Sequence, residues 1–597
     1  MTLLTIRIEG GLLSPDFLET IHEHSGQKPA DFGLDARRSL VDEVTAVWSD
    51  VRAYWEAFER RRARAKDGES LTSATREAWI IPLLEALGYR LTFQRRAAEA
   101  DGRNYAISHR AGDDEKGPPV HIVAFDQKLG ERPPAGRGTM APHALVQDYL
   151  NRSDDTWGIV TNGATFRLLR DSVYFSRPSY IEFDLQGMLD GERLDEFILF
   201  YRLAHRTRLA LAGEDGGRCL LESYHQAAVE QGGRIRDGLR KAVEGAILTL
   251  ANGFLSHPKN GELRQAVAEG NLSASAYYQQ LLYLIYRLLF LMVAEERNLL
   301  VLADPAGNGG LGWVTPPQQG RGVYYLDHYS ITRLRRLAEA PLSGPQRFDD
   351  LYLSLRTLFQ VLRDENQAPA LGIPALNGEL FDVSRARHLE AAYLNNRDLL
   401  SAIRQLSYFT PEKEQIRRRV NYAALDVEEL GSVYESLLDE YPVISSPAGG
   451  RPRFGFVQGT ERKTTGSYYT ARELVKETLD SALDPVIAER LKAAAESLRR
   501  SEPATKVREA QIATLLAIRV CDSACGSGHF LLASARRIGR SLAQVATGED
   551  EPSPEAVRHW TREAIIHCIY GVDKNPLAVD LCKVALWIEG HAPGKPL

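Results

Sequence analysis

The spacing of hydrophobic and polar positions changes twice along the chain. Residues 1–215 mix helical spacing with short strand-like runs, residues 216–455 keep helical spacing almost throughout, and residues 456–597 show a strand–turn–helix order. These changes predict a multidomain protein of the α+β and α/β classes. The expected parts are a small N-terminal α/β unit, a central helical region and the start of a Rossmann-like domain.

The first part carries one clear helix and several strand patterns. From Ala74 to Leu87 apolar residues recur at helical spacing, and the run stops at Gly88, a residue typical of helix C-caps. A helix is predicted at His143–Leu150, and strands are predicted at Tyr105–Ile107, Val120–Phe125, Gly158–Val160 and Thr165–Leu169. The Asn-Gly pair at 162–163 predicts a hairpin between the last two strands.

The central part is predicted to be a helical bundle. Ala274–Asn298 is apolar on most faces, so we expect one long buried helix, and Val427–Glu440 carries an apolar stripe. The most apolar run, Leu281–Ala294, is short for a membrane span and contains Arg287, so no membrane segment is expected. A Pro/Gly/Ser-rich stretch near 442–453 breaks the helical pattern and is predicted to be a linker.

Composition and charge exclude a disordered chain but few classes of function. With 597 residues the chain is too long for one hydrophobic core, and its 44% hydrophobic and 25% charged residues are those of an ordinary globular protein. The net charge of −6 does not indicate nucleic-acid binding. Any DNA contact must therefore come from locally placed Lys and Arg.

The cysteines favour a reducing compartment. The chain has five, with no CxxC pairing and no metal-ligand spacing with His: Cys219, Cys521, Cys525, Cys568 and Cys582. This pattern argues against a disulfide framework and against a metal site. The first residues, MTLLTIRIEG, lack the basic and apolar regions of a signal peptide, so a cytoplasmic protein is expected.

The clearest candidate site lies at Ile518–Ser534 (IRVCDSACGSGHFLLAS). A short buried strand ends in Asp522, and a turn with Gly526 and Gly528 leads into a helix that begins near His529. Glycines let the backbone approach a ligand closely, and a helix N-terminus offers unpaired N–H donors that suit a carboxylate. The acidic strand tip suits an ammonium or sulfonium group. Together these features favour a zwitterionic, cationic cofactor over a dinucleotide.

A second acidic strand tip follows. The strand predicted at Cys568–Val572 ends at Asp573, and an acid at this place in a Rossmann-like sheet can accept both ribose hydroxyls. An extra helix predicted at Ser553–His567 makes the spacing between the two tips longer than a dinucleotide fold expects. The spacing counts against NAD and is neutral for a sulfonium cofactor.

Three motifs in this order resemble a known family. GSYYT at 466–470, DSACGSGHFL at 522–531 and GVDKNPLAVDLCKVALW at 571–587 are similar to motifs of large adenine-N6 DNA methyltransferases of restriction–modification and phage-defence systems. That family includes fused type II restriction–modification enzymes and the methylases of the BREX and DISARM systems. Two further segments, LLYLIYRLLFLMVAEERNLL and NYAALDVEELGSVYESLLDEYP, resemble the region before the methylase domain. The resemblance implies S-adenosylmethionine (SAM) as cofactor and methylation of adenine N6 in double-stranded DNA after base flipping.

The resemblance also implies which residues contact SAM. They are Tyr469, Thr470, Asp522, Ala524, Cys525, Gly526, Ser527, Gly528, Phe530, Asp573, Lys574 and Asn575. The first two are expected at the methionine end, and residues 522–528 form the turn around the amino acid moiety, where Cys525 and Ser527 offer backbone N–H groups. Asp573 is expected to hold the ribose, and the two residues after it flank the adenine. Phe530 is an equally good core residue.

The catalytic motif of the family is absent. The resemblance implies an Asn/Asp/Ser-Pro-Pro-aromatic tetrapeptide that accepts hydrogen bonds from the adenine amino group. Here Asn575-Pro576 continues into Leu577, and the Pro-Pro pair at 316–317 lies upstream of the SAM motifs. We therefore expect no catalytic residue in this chain and a truncated methyltransferase domain. The chain is expected to be an N-terminal part, completed by a downstream segment or by a second chain, with other defence-system subunits as further partners.

The N-terminal unit resembles the nuclease-type domain of fused restriction enzymes. Glu85 is the expected helical acid, and Asp126-Gln127-Lys128 fits the acidic-x-Lys pattern of a strand that holds Mg²⁺. Arg103-Asn104 stands where Pro-Asp is expected, so the site has lost one carboxylate. A degenerate nuclease is favoured, with Mg²⁺ needed only if the site is active. Two alternatives remain open: a Mg²⁺-dependent endonuclease, or a non-catalytic SAM-binding or assembly subunit.

Overall fold

The computed structural model describes most of the chain, and it divides into two compact units. The first unit comprises Met1–Gln231, Leu491–Leu515 and Arg536–Trp560, and the second comprises Gly232–Arg490, Leu516–Ala535 and Thr561–Leu597. The residues that the structure describes are 5–9, 12–13, 17–18, 20–65, 70–112, 117–134, 140–171, 179–210, 218–297, 299–300, 321–340, 348–376, 379–409, 418–420, 422, 431, 437, 441–445, 450–457, 470, 472–496 and 503–591.

The elements are numbered along the chain. The strands are β1 Ile6–Glu9, β2 Leu91–Phe93, β3 Ala98–Ala100, β4 Arg103–Tyr105, β5 His109–Ala111, β6 Pro119–Ile122, β7 Trp157–Thr161, β8 Thr165–Arg170, β9 Tyr180–Asp184, β10 Tyr408–Phe409, β11 Arg418–Arg419, β12 Tyr441–Ser445, β13 Arg453–Val457, β14 Val520–Asp522 and β15 Ile569–Gly571. The α-helices are α1 Leu40–Arg62, α2 Thr72–Thr75, α3 Ile81–Ala86, α4 Pro142–Leu150, α5 Leu185–Asp190, α6 Leu194–Ala204, α7 Leu220–Ser256, α8 Gly261–Ala268, α9 Ala274–Glu296, α10 Arg321–Tyr324, α11 Ile331–Glu339, α12 Asp350–Arg363, α13 Arg387–Ala391, α14 Asn396–Ser407, α15 Arg472–Ala482, α16 Asp484–Glu496, α17 Ala504–Leu516, α18 His529–Thr547, α19 Pro554–Cys568 and α20 Pro576–Glu589. Short 3₁₀ or π turns lie at Ile21–Glu23, Pro29–Phe32, Arg76–Ile80, Arg206–Arg208, Tyr325–Tyr329, Ala368–Leu371, Glu379–Phe381 and Val383–Ala386.

The first unit is built on a mixed sheet. Within the described residues its order is β1-β9-β8-β7-β6-β5-β2. Neighbouring strands are antiparallel except β6 and β7, which run parallel with Val120 opposite Ile159. A parallel pair needs a crossover connection, and α4 lies between these two strands in the chain.

Both faces of this sheet are covered. Successive side chains of a strand point to opposite faces, so Ile159 and Leu168 belong to one hydrophobic cluster, while Val160 and Leu169 belong to another. The larger cluster contains Trp79 and the apolar faces of the first helices. This arrangement confirms the α/β character that the sequence predicts for the N-terminal part.

The predicted Asn-Gly hairpin is confirmed. Strands β7 and β8 pair antiparallel, with Thr161 opposite Phe166. The Oδ1 atom of Asn162 accepts hydrogen bonds from the backbone N–H groups of Ala164 (3.1 Å) and Thr165 (2.8 Å). The Asn side chain therefore satisfies backbone donors in the turn, as its type predicts.

Residues far along the chain complete the first unit. The buried carboxylate of Glu549 accepts hydrogen bonds from the Ala141 amide (2.8 Å) and from Nε of Arg132 (3.1 Å). Glu555 accepts a 2.8 Å bond from Arg167. Burial alone would raise the pKa of Glu555, but the charges of Arg167 and its neighbours lower it to about 2. The compact units thus combine stretches from several predicted domains, and the division at 215 and 455 stays a prediction.

The second unit is mainly helical. Helix α9 is buried on nearly all sides in its main hydrophobic cluster, which confirms the predicted long helix. Its one strongly buried cation, Arg287, is paired with Glu390 and donates 2.8 Å hydrogen bonds to the carbonyl oxygens of Leu380 and Asp382. A buried charge needs such partners, so Arg287 belongs to a protein core. In the described part of the chain, no helix combines the length and apolarity that a membrane span needs.

Two paired strands overlap the ends of the stretch predicted to be a linker. In β12 and β13, Tyr441 lies opposite Val457 and Ser445 opposite Arg453. The Asn252 side chain donates to the Phe454 carbonyl (3.1 Å) and accepts from its amide (3.0 Å). Turn residues between two short extended runs suit a hairpin as well as a linker, and the role of this stretch as a linker stays a prediction. The stripe predicted at 427–440 lies outside the described residues except for positions 431 and 437.

Candidate cofactor-binding site

Two parallel strands bring two carboxylates to one edge. Strands β14 and β15 pair with Val520 opposite Ile569 and Asp522 opposite Gly571. Because the carboxyl ends of parallel strands meet at the same edge, Asp522 and Asp573 both emerge there. Each strand is followed by a helix, which confirms the two strands and the helix near His529 that the sequence predicts.

Backbone hydrogen bonds tie the two strand ends together. The Val572 amide donates to the Asp522 carbonyl (2.8 Å), and the Cys525 amide donates to the Val572 carbonyl (2.9 Å). The Gly526 amide donates to Oδ2 of Asp573 (2.9 Å). The predicted glycine turn and the second acidic residue therefore form one connected structure, although they are 47 residues apart.

The two glycines of the turn are required by their geometry. Gly526 has a φ of +52° and Gly528 a φ of +93°, conformations that residues with a Cβ rarely adopt. A Cβ at position 528 would lie 2.5 Å from Sγ of Cys582. Position 528 therefore admits no side chain, and helix α20 packs directly against the turn.

Both acids also organise the backbone around them. Oδ1 of Asp522 accepts a hydrogen bond from the Ala524 amide (3.0 Å), and Oδ1 of Asp573 accepts one from the Asn575 amide (2.7 Å). Asn575 caps α20 by accepting from the Leu577 amide (3.0 Å). A carboxylate has about four acceptor positions, so both acids retain capacity for a ligand.

Helix α18 supplies further donors. Its first intrahelical bond runs from the Leu532 amide to the Gly528 carbonyl (2.8 Å). The helix begins at His529, and its N-terminus carries the positive end of the helix dipole. The turn thus offers backbone donors beside two carboxylates. This donor set fits a zwitterionic ligand with a carboxylate, a positive charge and ribose hydroxyls.

The predicted contact residues differ in exposure. Ala524 and Lys574 are exposed, and Asp522, Gly526, Phe530, Asp573 and Asn575 are half-buried, whereas Cys525, Ser527 and Gly528 are buried. The structure brings all of these together around one turn. Thr470 lies two residues before α15, and Tyr469 lies outside the described residues. The roles assigned to these two positions stay predictions.

Two thiols meet beneath the turn. Cys525 and Cys582 share a small apolar cluster with Leu531. The neighbouring Cys582 thiol lowers the pKa of Cys525, and the pKa of Cys582 is raised by Cys525 and by burial. The sequence does not indicate this pair, because the two positions are 57 residues apart and follow no cysteine motif.

The helical region reaches the turn through a glycine. Gly431 is buried and helical, and a Cβ placed there would lie 2.7 Å from Oγ of Ser527 and 2.9 Å from its Cβ. Gly431, which belongs to the segment that resembles the pre-methylase region, therefore packs directly on Ser527 of the candidate site. In the sequence, this contact is indicated by a glycine within the helical segment LGSVYE.

A buried acid holds α20 against the helical core. Asp580 accepts a 2.7 Å hydrogen bond from the Tyr283 hydroxyl and lies 3.9 Å from the Arg385 guanidinium. Leu577, Leu581, Ala585 and Ile588 form one stripe of α20 in the main hydrophobic cluster. Because α20 begins directly after Asp573, these contacts position the second strand tip.

The nuclease-like residues of the first unit are scattered. Glu85 is exposed on α3, and Asn104 is exposed on β4, which pairs only with β3 in a separate two-stranded sheet. Asp126 and Lys128 lie in a turn after β6 rather than on the strand, and Lys128 forms a 2.7 Å ion pair with Glu131. The described residues contain no group of three or more acidic, His or Cys side chains that could hold a metal ion. The structure therefore does not assemble the expected acidic-x-Lys strand.

Comparisons with known proteins give partial matches. No family model matches the chain. A protein of Methanocaldococcus jannaschii, named as a type II restriction enzyme and methyltransferase, is 23% identical over 239 residues, covering 36% of this chain and 18% of that protein. The adenine-specific methyltransferase PglX of Streptomyces coelicolor is 33% identical over 75 residues, covering 13% of this chain and 6% of PglX.

Among solved structures, the type IIL restriction–modification enzyme MmeI in complex with DNA matches 59% of this chain and 36% of its own, with 16% identity and a TM-score of 0.31. A TM-score this low does not identify a fold. The matches to the two curated relatives span less than a fifth of either relative's length. The chain is similar to methyltransferases of the restriction–modification kind.

Proposed function

We propose that the chain binds SAM and forms part of a site-specific DNA adenine-N6 methyltransferase of a bacterial restriction–modification or anti-phage defence system. The observation that carries the proposal is that Asp522 and Asp573 lie at the ends of two adjacent parallel strands. The glycine turn that follows Asp522 is joined to Asp573 by the hydrogen bond from the Gly526 amide. An isolated glycine turn is common, but a turn closed by a second acid is much more specific for a ribose-bearing cofactor.

Each part of the turn has a role in binding. Asp522 offers a negative charge to the positively charged end of the cofactor, and the first amides of α18 bind its carboxylate. Asp573 keeps lone pairs for the ribose hydroxyls while it holds the Gly526 amide. SAM, when bound, supplies a methyl group on a sulfonium. The residues of this chain orient that methyl group.

The relatives support the same chemistry. One is named a type II restriction enzyme and methyltransferase, and the other an adenine-specific methyltransferase. Their names support SAM as cofactor, and PglX supports adenine as the methylated base. Duplex DNA is the proposed substrate on the strength of the motif resemblance.

We propose that further strands extend this sheet. Tyr570 on β15 and Val572 just after it are 48% and 58% exposed, unusually high for such side chains on a Rossmann-like sheet. The tetrapeptide that would bind the adenine amino group is absent from the 597 residues. A segment that carries this tetrapeptide, in cis or on a second chain, is therefore the proposed partner for β15.

The test combines binding with transfer. Calorimetry of the 597-residue chain with SAM should show binding that is weakened in Asp573→Ala. Labelled methyl transfer to unmethylated duplex DNA, followed by nucleoside analysis, should yield N6-methyladenine only after the tetrapeptide-bearing segment or chain is added. SAM binding without transfer in the completed protein would indicate a non-catalytic SAM-binding subunit. Methylcytosine as product would refute adenine specificity.

A further inference from the structure

The two thiols beneath the turn belong to different elements. Cys525 lies between β14 and α18, and Cys582 lies in the second turn of α20. They are only 6% and 4% exposed, and the small cluster around them is otherwise apolar. Their meeting is therefore a property of the tertiary structure.

Two glycines make room for the sulfur atoms. A Cβ at position 528 would lie 2.5 Å from Sγ of Cys582, and a Cβ at position 571 would lie 3.2 Å from Sγ of Cys525. Each sulfur thus lies against glycine backbone, where a side chain would otherwise stand.

The two thiols have different reactivities. The two thiols share one cluster, and the neighbouring Cys582 favours the thiolate of Cys525, so the pKa of Cys525 is lowered, while the pKa of Cys582 is raised. A thiolate is the nucleophile in thiol oxidation, and a neighbouring thiol resolves the product. The geometry supplies both partners in one cluster.

We propose that Cys525 and Cys582 form a site of reversible oxidation, at which a peroxide converts the two thiols into an intramolecular disulfide. The Cys525 thiolate attacks one oxygen of hydrogen peroxide, the O–O bond breaks and hydroxide leaves, giving a sulfenic acid. The Cys582 sulfur then attacks the Cys525 sulfur, the S–S bond forms and the S–O bond breaks. Two thiols lose two electrons in all, and one peroxide is reduced to two waters.

The disulfide also regulates the candidate site, an inference that rests on the proposed function. Covalently bonded sulfurs lie about 2.05 Å apart, much closer than two sulfur atoms in van der Waals contact. The bond therefore pulls the turn towards α20. The neighbouring Gly526 amide is held by Asp573, and a binding site tolerates displacements of only about 0.5 Å. Oxidation should lower SAM affinity at least tenfold.

The experiment uses the 597-residue chain, reduced and then treated with hydrogen peroxide. Free thiols are blocked with N-ethylmaleimide, and peptide mass spectrometry identifies the bridges. The expected result is one bridge, between Cys525 and Cys582, with SAM affinity lost on oxidation and restored by dithiothreitol. The matched controls are Cys582→Ala and Cys582→Ser, whose SAM affinities should not respond to peroxide. Cys582→Ser is the control to use if Cys582→Ala does not fold.

The outcomes separate the two proposals. No bridge, or a bridge from Cys525 to the exposed Cys521, overturns the oxidation site. A complete Cys525–Cys582 bridge with unchanged SAM affinity overturns the regulation. If the reduced chain does not bind SAM at all, the proposed function fails, while mass spectrometry still decides whether the bridge forms.

Discussion

The contact between Gly431 and Ser527 offers a direct test of how the helical region positions the turn. In Gly431→Ala the new Cβ would lie 2.7 Å from Oγ of Ser527 and 2.9 Å from its Cβ. Non-bonded carbon atoms prefer separations of about 3.5 Å or more, so the two backbones must part by about 0.6 Å even if the Ser527 hydroxyl rotates away. This displacement exceeds the roughly 0.5 Å that a precise binding site tolerates.

The expected cost follows from overpacking. Adding a methyl group to a well-packed contact costs about 1–3 kcal/mol, which corresponds to a loss of affinity of about 5- to 150-fold. Alanine is the better helix former by about 1 kcal/mol, so a loss of affinity cannot come from helix propensity. We expect weaker SAM binding in a protein that remains folded.

A second substitution should restore the space. Ser527→Gly removes both atoms that the new methyl group meets, and it keeps the backbone N–H that the site is expected to use. The double variant Gly431→Ala/Ser527→Gly should therefore bind SAM within about threefold of Ser527→Gly alone, since the alanine methyl group then meets neither of these atoms. Gly455→Ala is the matched control, because no atom lies within 4 Å of a Cβ at that position.

The assay is calorimetric titration with SAM, with thermal melting in parallel to verify folding. Unchanged affinity in Gly431→Ala would refute the proposed packing of the helical region on the turn. A loss that Ser527→Gly fails to rescue would refute the steric explanation. An equal loss in Gly455→Ala would show that glycine substitution itself, rather than this contact, weakens binding.

Three further predictions concern Asp522, the buried His143 and the nuclease-like residues. Asp522→Ala should weaken SAM binding roughly ten- to a hundredfold in calorimetry, and Asp522→Asn, which keeps an acceptor for the Ala524 amide, should isolate the effect of charge. Burial, followed by the Arg167 charge, lowers the pKa of His143 to about 3, so the folded protein keeps this histidine neutral. The stabilisation is complete above the unfolded pKa of about 6.5 and is lost as the pH falls towards 3. At pH 5.5 the loss reaches about 1.4 kcal/mol, so the melting temperature should fall less between pH 7.5 and 5.5 in His143→Gln. An equal fall in both proteins would contradict this role. With Mg²⁺, the unaltered chain should not nick supercoiled plasmid, and cleavage that Lys128→Ala abolishes would overturn this prediction.

The sequence by itself determined the local elements of the candidate site. A short apolar run, an acid, two glycines and a helical pattern predicted β14, the turn and α18, because each depends on the conformational preferences of neighbouring residues. The Asn-Gly hairpin and the buried helix α9 were predicted for the same reason. The paired strands at the ends of the 442–453 stretch were not predicted, because turn residues suit a hairpin and a linker equally well.

The tertiary structure alone decided which distant residues meet. The Gly526 amide bonds to Asp573, Cys525 meets Cys582, and Gly431 packs on Ser527. Hydrophobic periodicity indicates which face of an element is apolar but not which element covers it, so the sequence does not predict these contacts. The nuclease-like residues show that a sequence pattern alone does not assemble a site. Asn104 and Asp126 stand near the positions that the nuclease pattern expects, but they do not lie in one sheet. Chemistry requires residues in three-dimensional proximity, and only long-range packing provides it.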